Sequence, residues 1–188
     1  KGYPVRVYKT VKARDLFRRI VESAWASAEP GLIRLDYANE MSNSWYYAPV
    51  ICTNPCGEQP LPAYGVCNLG HLNLSRYVKR SPGDYWCWEV DWEALKRGVQ
   101  TAVRFLDAII DMDPYHDEKV REQQLSERRI GLGTMGLAEL LVRLRVRYGS
   151  DEALRLIDEI YSFIAETAYL TSVELAKEKG PFPKFDRD

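Results

Sequence analysis

Between Thr53 and Asp91 the chain is interrupted too often to hold a long regular element. Prolines stand at 55, 60, 62 and 82, and glycines at 57, 65, 70 and 83. Proline fixes φ and removes an amide donor, and glycine opens backbone conformations closed to other residues, so their mixture marks turns. Such a stretch inside a compact domain is usually functional or disordered, and the aromatic and apolar residues among these positions argue against disorder. It reads as an irregular, functional loop carrying Cys56, Cys67 and Cys87.

The flanks read as scaffold. Leu16, Phe17, Ile20, Val21, Ala24 and Trp25 recur at helical spacing between Ala13 and Ala28, and Glu29-Pro30-Gly31 stops that helix. Leu32 to Leu35 and Tyr46 to Ile51 read as short strands around turn-forming Asn39, Ser42 and Asn43. Asp91 is placed to cap a helix whose stripe is Trp92, Leu95, Val99, Val103, Leu106 and Ile110. Thr134 to Val146 is apolar nearly all round and is expected as a buried helix. Ser150 opens a long helix running to Lys177 and Lys179 before Gly180 and Pro181, roughly 40 Å at 1.5 Å per residue. The polar run Asp117 to Arg129 reads as a solvated face, His116 as a surface loop residue, and Trp86, Trp88 and Trp92 as packing for the long loop. No repeat or linker divides the chain. Lys1 in place of Met, and a close at Phe185-Asp186-Arg187-Asp188 just past a helix end, give the expectation that both ends are cut.

Charge excludes some partners. With 26 Lys and Arg against 27 Asp and Glu the net charge is -1, so no basic field gathers phosphate backbones and no nucleic-acid partner is expected. No run of eighteen apolar residues appears, and KGYPVRVYKTVKARD lacks a signal-peptide core, so no membrane is expected and the location reads as cytoplasmic.

The chemistry concentrates in Thr53-Asn54-Pro55-Cys56-Gly57-Glu58-Gln59-Pro60-Leu61, where an amide, a thiol and a carboxylate alternate. In an extended segment, period two would put Asn54, Cys56 and Glu58 on one face. Cys67 follows eleven residues after Cys56. The stretch TNPCGEQPLPAYGVCNLGHLNLSRYV resembles the finger-loop region of ribonucleotide reductase large subunits, and NPCGEQPLP with its second cysteine is similar to the adenosylcobalamin-dependent class. TAVRFLDAIID, RRIGLGTMGLAELL and ELAKEKGPFPKF resemble that class in the same order, so the likeness runs from about Val11 to Phe185.

The resemblance implies a helix-rich α/β fold, part of a ten-stranded α/β barrel, with residues 1–188 a fragment of the catalytic barrel domain and the finger loop at about 53–75. It implies radical reduction of ribonucleotides to 2'-deoxyribonucleotides, an oxidoreductase activity serving DNA replication. Under it Cys56 carries the thiyl radical, Glu58 takes the 3'-hydroxyl proton, and Asn54 hydrogen-bonds the ribose hydroxyls. Asn54, Pro55, Cys56, Gly57 and Glu58 would line the substrate. Cys67 would close a redox disulfide with a cysteine outside this chain. The implied cofactor is adenosylcobalamin, with no metal. The implied partners are the ribonucleotide, an allosteric nucleotide and a thioredoxin-like reductant through parts absent here, the remaining barrel segments, and a second copy in a homodimer. Alone, the chain is expected to be inactive, and an opened barrel is expected to expose strand edges and apolar faces.

Other readings compete. A cysteine is usually a small buried hydrophobe, and Cys52 and Cys87 are expected to be only that. Cys52, Cys56, Cys67 and His71 form C-x3-C-x10-C-x3-H, close to a Cys3His zinc set, which would make the chain a binding module. Pro60, Pro62 and Gly65 break the short helix such modules carry between ligand pairs. Gly131-Leu132-Gly133-Thr134-Met135-Gly136 matches G-x-G-x-x-G, but only Arg129-Ile130 is available as strand before it, so the glycines are expected to serve close backbone packing within the barrel. A Cys-His hydrolase lacks a histidine near Cys56, since only His71 and His116 exist.

Overall fold

The computed structural model describes Pro4, residues 6–83 and residues 86–185. The expectations about chain ends fall partly on Lys1, Asp186, Arg187 and Asp188, which lie outside the described residues. The chain divides into two compact units, Lys1–Pro60 and Leu61–Asp188.

In the first unit, helix α1 (Ala13–Ser27) has Asp15 in its first turn and ends where Ala28 turns left-handed at φ 60. The expected stop is therefore met one residue before Glu29-Pro30. Its apolar stripe is uncovered, because α1 buries no side chain and Trp25 is 90% exposed. The two expected strands do not form. Leu32, Ile33 and Arg34 are irregular, Leu35 begins helix α2 (Leu35–Met41), and residues 46–51 make a turn and unpaired chain. Strand propensity needs a partner edge, and here a side chain supplies the pairing instead. The Asn39 amide donates to the Val50 carbonyl at 2.9 Å, and the Val50 N–H donates to Asn39 Oδ1 at 2.7 Å. Strand β1 (Cys52–Thr53) follows, and β2 (Pro60–Leu61) lies at the boundary of the units.

The second unit overturns the expectation of an irregular stretch to Asp91. It contains β3 (Asn68–Asn73), a 3-10 turn at Leu74–Arg76, β4 (Val78–Arg80) and β5 (Trp88–Val90). The reason is long-range: β3 pairs in parallel with β6 (Ile130–Met135), Asn68 facing Ile130 and Asn73 facing Met135. β4 and β5 form an antiparallel pair, Val78 opposite Val90. Pairing between distant segments leaves no local periodicity to read.

The helices follow the sequence more closely. Asp91 caps α3 (Trp92–Met112) through the Ala94 N–H at 3.0 Å, and Leu95, Val99, Val103, Leu106 and Ile110 are buried as the stripe requires. Ser150 caps α6 (Asp151–Lys179), which ends in Lys177, Lys179 and Gly180. These helices meet Leu72, Leu74, Leu140 and Leu141 in the core. The expected buried helix from Thr134 is shorter, because Thr134 and Met135 belong to β6 and Gly136 turns at φ 73 into α5 (Leu137–Leu144). Only Leu140 and Leu141 are buried on α5, and Val142 is exposed. The polar run is not wholly solvated either: it forms α4 (Glu118–Glu127), capped by Asp117, with Gln124 and Glu127 buried. Gln124 donates to the Arg129 carbonyl at 2.9 Å, tying α4 to the start of β6. Of the tryptophans, Trp92 packs edge-on against Phe163 and Trp88 lies under the Arg80 guanidinium, but Trp86 is exposed.

Three of the four sequence blocks that carry the resemblance converge on one ionic clamp. Arg128 donates to Asp107 at 2.8 Å and to Asp111 at 2.7 Å, and Lys179 donates to both carboxylates. Burial pushes the Asp107 carboxyl up, but hydrogen bonds from Arg128 and Lys179 outweigh it and hold it below its ordinary value. The Arg128 hydrogen bond lowers Asp111, while bonds to the carboxylates raise Arg128 and Lys179. We expect Arg128→Asn, which tolerates the left-handed backbone at φ 49, to lower the unfolding free energy by about 2 kcal/mol at pH 7, between exposed and fully buried pairs. Lowered carboxyl values contribute stability above the ordinary 3.8 that is lost as pH falls through the folded values. Raised cation values act oppositely: Lys179 contributes below its ordinary 10.5 and its contribution fades as pH rises through the raised value. Urea melts of both proteins should therefore differ at pH 7 and converge below about pH 4; an unchanged difference at low pH would refute the clamp.

Candidate active site

The segment holding Asn54, Cys56 and Glu58 is a tight turn and not an extended strand. The Gly57 N–H donates to the Asn54 carbonyl at 3.0 Å, placing Pro55 and Cys56 at the two central positions. Asn first, Pro second and Gly fourth suit such a turn, and Gly57 sits at φ 83, where a side chain would be strained. The shared face expected from period two is therefore not formed: alternation holds only while the backbone stays pleated, and Pro55 with Gly57 folds it back.

Asn54 closes the loop on both sides. Its N–H donates to the Gln59 carbonyl at 3.3 Å, and its Oδ1 accepts the Gln59 N–H at 2.9 Å. An acceptor is required opposite an N–H, so the amide orientation is fixed and the Asn54 NH2 is the end left to donate elsewhere. Cys56 and Glu58 are exposed at the tip, and Asn54 is half-buried below them.

Cys67 belongs to the second unit. It is half-buried, directly precedes β3, and has Asn68 O at 4.0 Å from its sulfur. Alternation along β3 places Cys67 with Leu69, His71 and Asn73, beside Gly131, Gly133 and Met135 of β6. The opposite face packs on α3, where Leu106 lies 3.2 Å from the position a Cβ on Gly70 would take. On the Cys67 face, Leu69 and Met135 are half exposed or more.

The remaining candidates separate clearly. Cys52 and Cys87 are exposed, contrary to the expectation of buried hydrophobes: each lies on or beside a strand of two or three residues, too short to cover it. His116 is exposed in a loop as expected, and His71 is exposed on β3. The residues of the zinc spacing divide between the units, Cys52 and Cys56 in the first, Cys67 and His71 in the second. Among the described residues no group of three or more His, Cys, Asp or Glu is arranged to hold a metal ion. The G-x-G-x-x-G run is no phosphate loop, because Gly131 and Gly133 lie inside β6. Close packing accounts for them, but against side chains and not the expected backbone: a Cβ on Gly131 would meet Cys67 Sγ at 2.6 Å, and one on Gly133 would meet the His71 ring at 2.8 Å.

Sequence reasoning did not find two features. The second task of Asn54, pinning the turn, carries no signature beyond its place before Pro55. Gly131 is expected from the sequence as a packing glycine, but nothing local to it names Cys67 as the group packed there, since the two meet only through the β3–β6 pairing.

The chain as a whole resembles known proteins. The family described as "Ribonucleotide reductase, barrel domain" matches residues 2–188. The chain is 40% identical over 178 residues to a "Vitamin B12-dependent ribonucleoside-diphosphate reductase" of Thermoplasma acidophilum, covering 95% of this chain and 22% of that protein. It is 39% identical over 180 residues to a protein of the same description from Mycobacterium tuberculosis, covering 96% of this chain and 25% of that one. A "Ribonucleoside-diphosphate reductase subunit alpha" of Chlamydia pneumoniae is 33% identical over 185 residues, covering 96% of this chain and 17% of that one. The chain thus spans a quarter or less of the length of these curated relatives.

Proposed function

The chain belongs to the ribonucleotide reductase barrel-domain family, and from this premise we propose that it is the radical-bearing part of a longer catalytic polypeptide that reduces ribonucleoside diphosphates to 2'-deoxyribonucleotides. In that protein residues 53–75 act as a finger loop within a ten-stranded α/β barrel, to which residues 1–188 contribute a fragment. The observation that carries the reading is the Asn54–Gly57 turn, which holds the Cys56 thiol outward with the donor end of Asn54 and the Glu58 carboxylate beside it in sequence.

Each residue has a step. The Cys56 sulfur radical takes the C3' hydrogen of the ribose, forming S–H as C–H breaks. Glu58 accepts the 3'-hydroxyl proton as that radical forms, a general-base role needing hydrogen-bond reach. The Asn54 NH2 holds the ribose hydroxyls while its carbonyl end keeps the turn closed. Cys67 and a second thiol elsewhere in the polypeptide then give up two hydrogens and form one disulfide, one hydrogen leaving with the 2'-hydroxyl as water and the other forming the C2'–H bond. Glu58 returns its proton to the 3'-oxygen, and the Cys56 S–H returns its hydrogen to C3', which restores the sulfur radical.

The names of two relatives include vitamin B12, and adenosylcobalamin is the proposed radical source. The described residues do not fit a corrin. Two cavities of about 600 Å³ each have mixed linings: one sets Lys96, Arg104 and Glu174 beside Leu170, and the other sets Asp107, Arg128 and Lys179 beside Leu175 and Phe182. Neither offers the broad apolar platform that so large a ring system requires. The cofactor seat is assigned to other parts of the polypeptide, and so are the allosteric nucleotide site, the thioredoxin-like reductant and the homodimer contact. No helix among the described residues is long and apolar enough to cross a membrane, and a cytoplasmic enzyme accords with that.

The test is direct. The full-length polypeptide, given a ribonucleoside diphosphate, adenosylcobalamin and a dithiol, should form the 2'-deoxy product, and this chain alone should form none. No product from the full-length protein under those conditions, or turnover by residues 1–188 alone, would overturn the proposal.

A further inference from the structure

We infer that Gly131 is a positioning residue for the Cys67 thiol: its missing side chain is the seat in which the sulfur rests. The inference builds on the redox role proposed for Cys67. Glycine inside a strand weakens it and commonly marks a close approach by another group. On β6 that group is identified. A Cβ on Gly131 would stand 2.6 Å from Cys67 Sγ and 2.6 Å from Leu69 Cδ2, far inside contact distance. The backbone at Gly131 is not left-handed, so the position asks for glycine on account of space alone.

The two clashing atoms are not equivalent. Leu69 is half exposed, and its Cδ2 is the far end of a side chain with two torsions, so it moves aside cheaply. The Cys67 sulfur is one bond from its Cβ, and its only retreat is another χ1 well, a displacement of roughly 3 Å. A disulfide demands a Cβ–Cβ separation of about 3.5–4.5 Å and a dihedral near 90°, so a thiol turned by one well no longer meets its partner correctly. Gly131 therefore fixes the direction from which Cys67 delivers its hydrogen and closes the S–S bond, on the face of β3 and β6 where Leu69 and Met135 are exposed.

The experiment uses the full-length reductase with Gly131→Ala, alone and with Leu69→Ala. The single variant should keep its KM and its release of 3'-tritium, while kcat for deoxynucleotide falls on the order of 100-fold, as for other misplacements of about 1 Å or more. Free base should appear in place of product, and alkylation of Cys67 in the resting, reduced enzyme should change rate. Adding Leu69→Ala removes the other clash and secures folding, and should leave kcat depressed. Normal yield in Gly131→Ala, or recovery in the double variant, would overturn the inference and make the glycine a matter of packing against Leu69. Cys67→Ser separates the two levels: a wild-type yield there would sink the redox role itself, independently of Gly131.

Discussion

In the full-length polypeptide, Cys56→Ser should abolish release of 3'-tritium from labelled nucleotide, whereas Cys67→Ser should preserve that release and lose the deoxynucleotide. The two thiols stand in different compact units, and the proposed mechanism gives them different steps. An O–H bond is much stronger than an S–H bond, so serine at 56 forms no comparable radical and the C3' hydrogen stays in place. Serine at 67 leaves the turn and its thiol untouched but cannot close a disulfide. Abstraction then starts, the two electrons never arrive, and the intermediate decomposes with loss of base and inactivation of the enzyme. Scoring tritium beside product yield tells the outcomes apart. Equal tritium release from both variants, or none from either, would show that the two roles are wrongly assigned.

Glu58→Gln should keep nucleotide affinity and lower kcat and kcat/KM together, by roughly 10²- to 10⁴-fold, the usual worth of a positioned general base. The amide keeps the size of the carboxylate and its place one residue beyond Gly57, but it does not accept the 3'-hydroxyl proton. Because the side chain is exposed at the turn tip, the change should disturb folding little. A raised KM with normal kcat would make Glu58 a binding group instead.

What the sequence disclosed was set by the range of the interaction involved. The Asp91 and Ser150 caps, the α3 stripe and the stop at Ala28 depend on residues within a few positions of one another, and all were readable. The β3–β6 pair was not, because Asn68 meets Ile130 only after two helices intervene, and neither strand alternates cleanly enough to declare itself. The same limit explains the false strands at 32–35 and 46–51, whose residue types favour a sheet that this unit does not provide. At the candidate site, the motif named Asn54, Cys56, Glu58 and Cys67 through resemblance. The common face expected of Asn54, Cys56 and Glu58 fails because Pro55 and Gly57 do more than break regular structure: they close a tight turn at Cys56 itself. Arg128, Asp107 and Lys179 could be read only as charges, since their pairing spans three segments.

The parallel pairing of β3 with β6 also sets an order of events during folding. Parallel neighbours cannot be joined by a tight hairpin, so the connection must be built through α3 and α4 before the ladder closes. Loop closure itself adds only about 0.6 kcal/mol per doubling of length, so distance alone is not prohibitive. Time is the larger cost, since contacts distant along the chain form slowly while helical ones form early. On a ribosome, Cys67 would therefore emerge well before Gly131, and until β6 is synthesised the thiol has no seat and remains open to any oxidant or stray disulfide it meets.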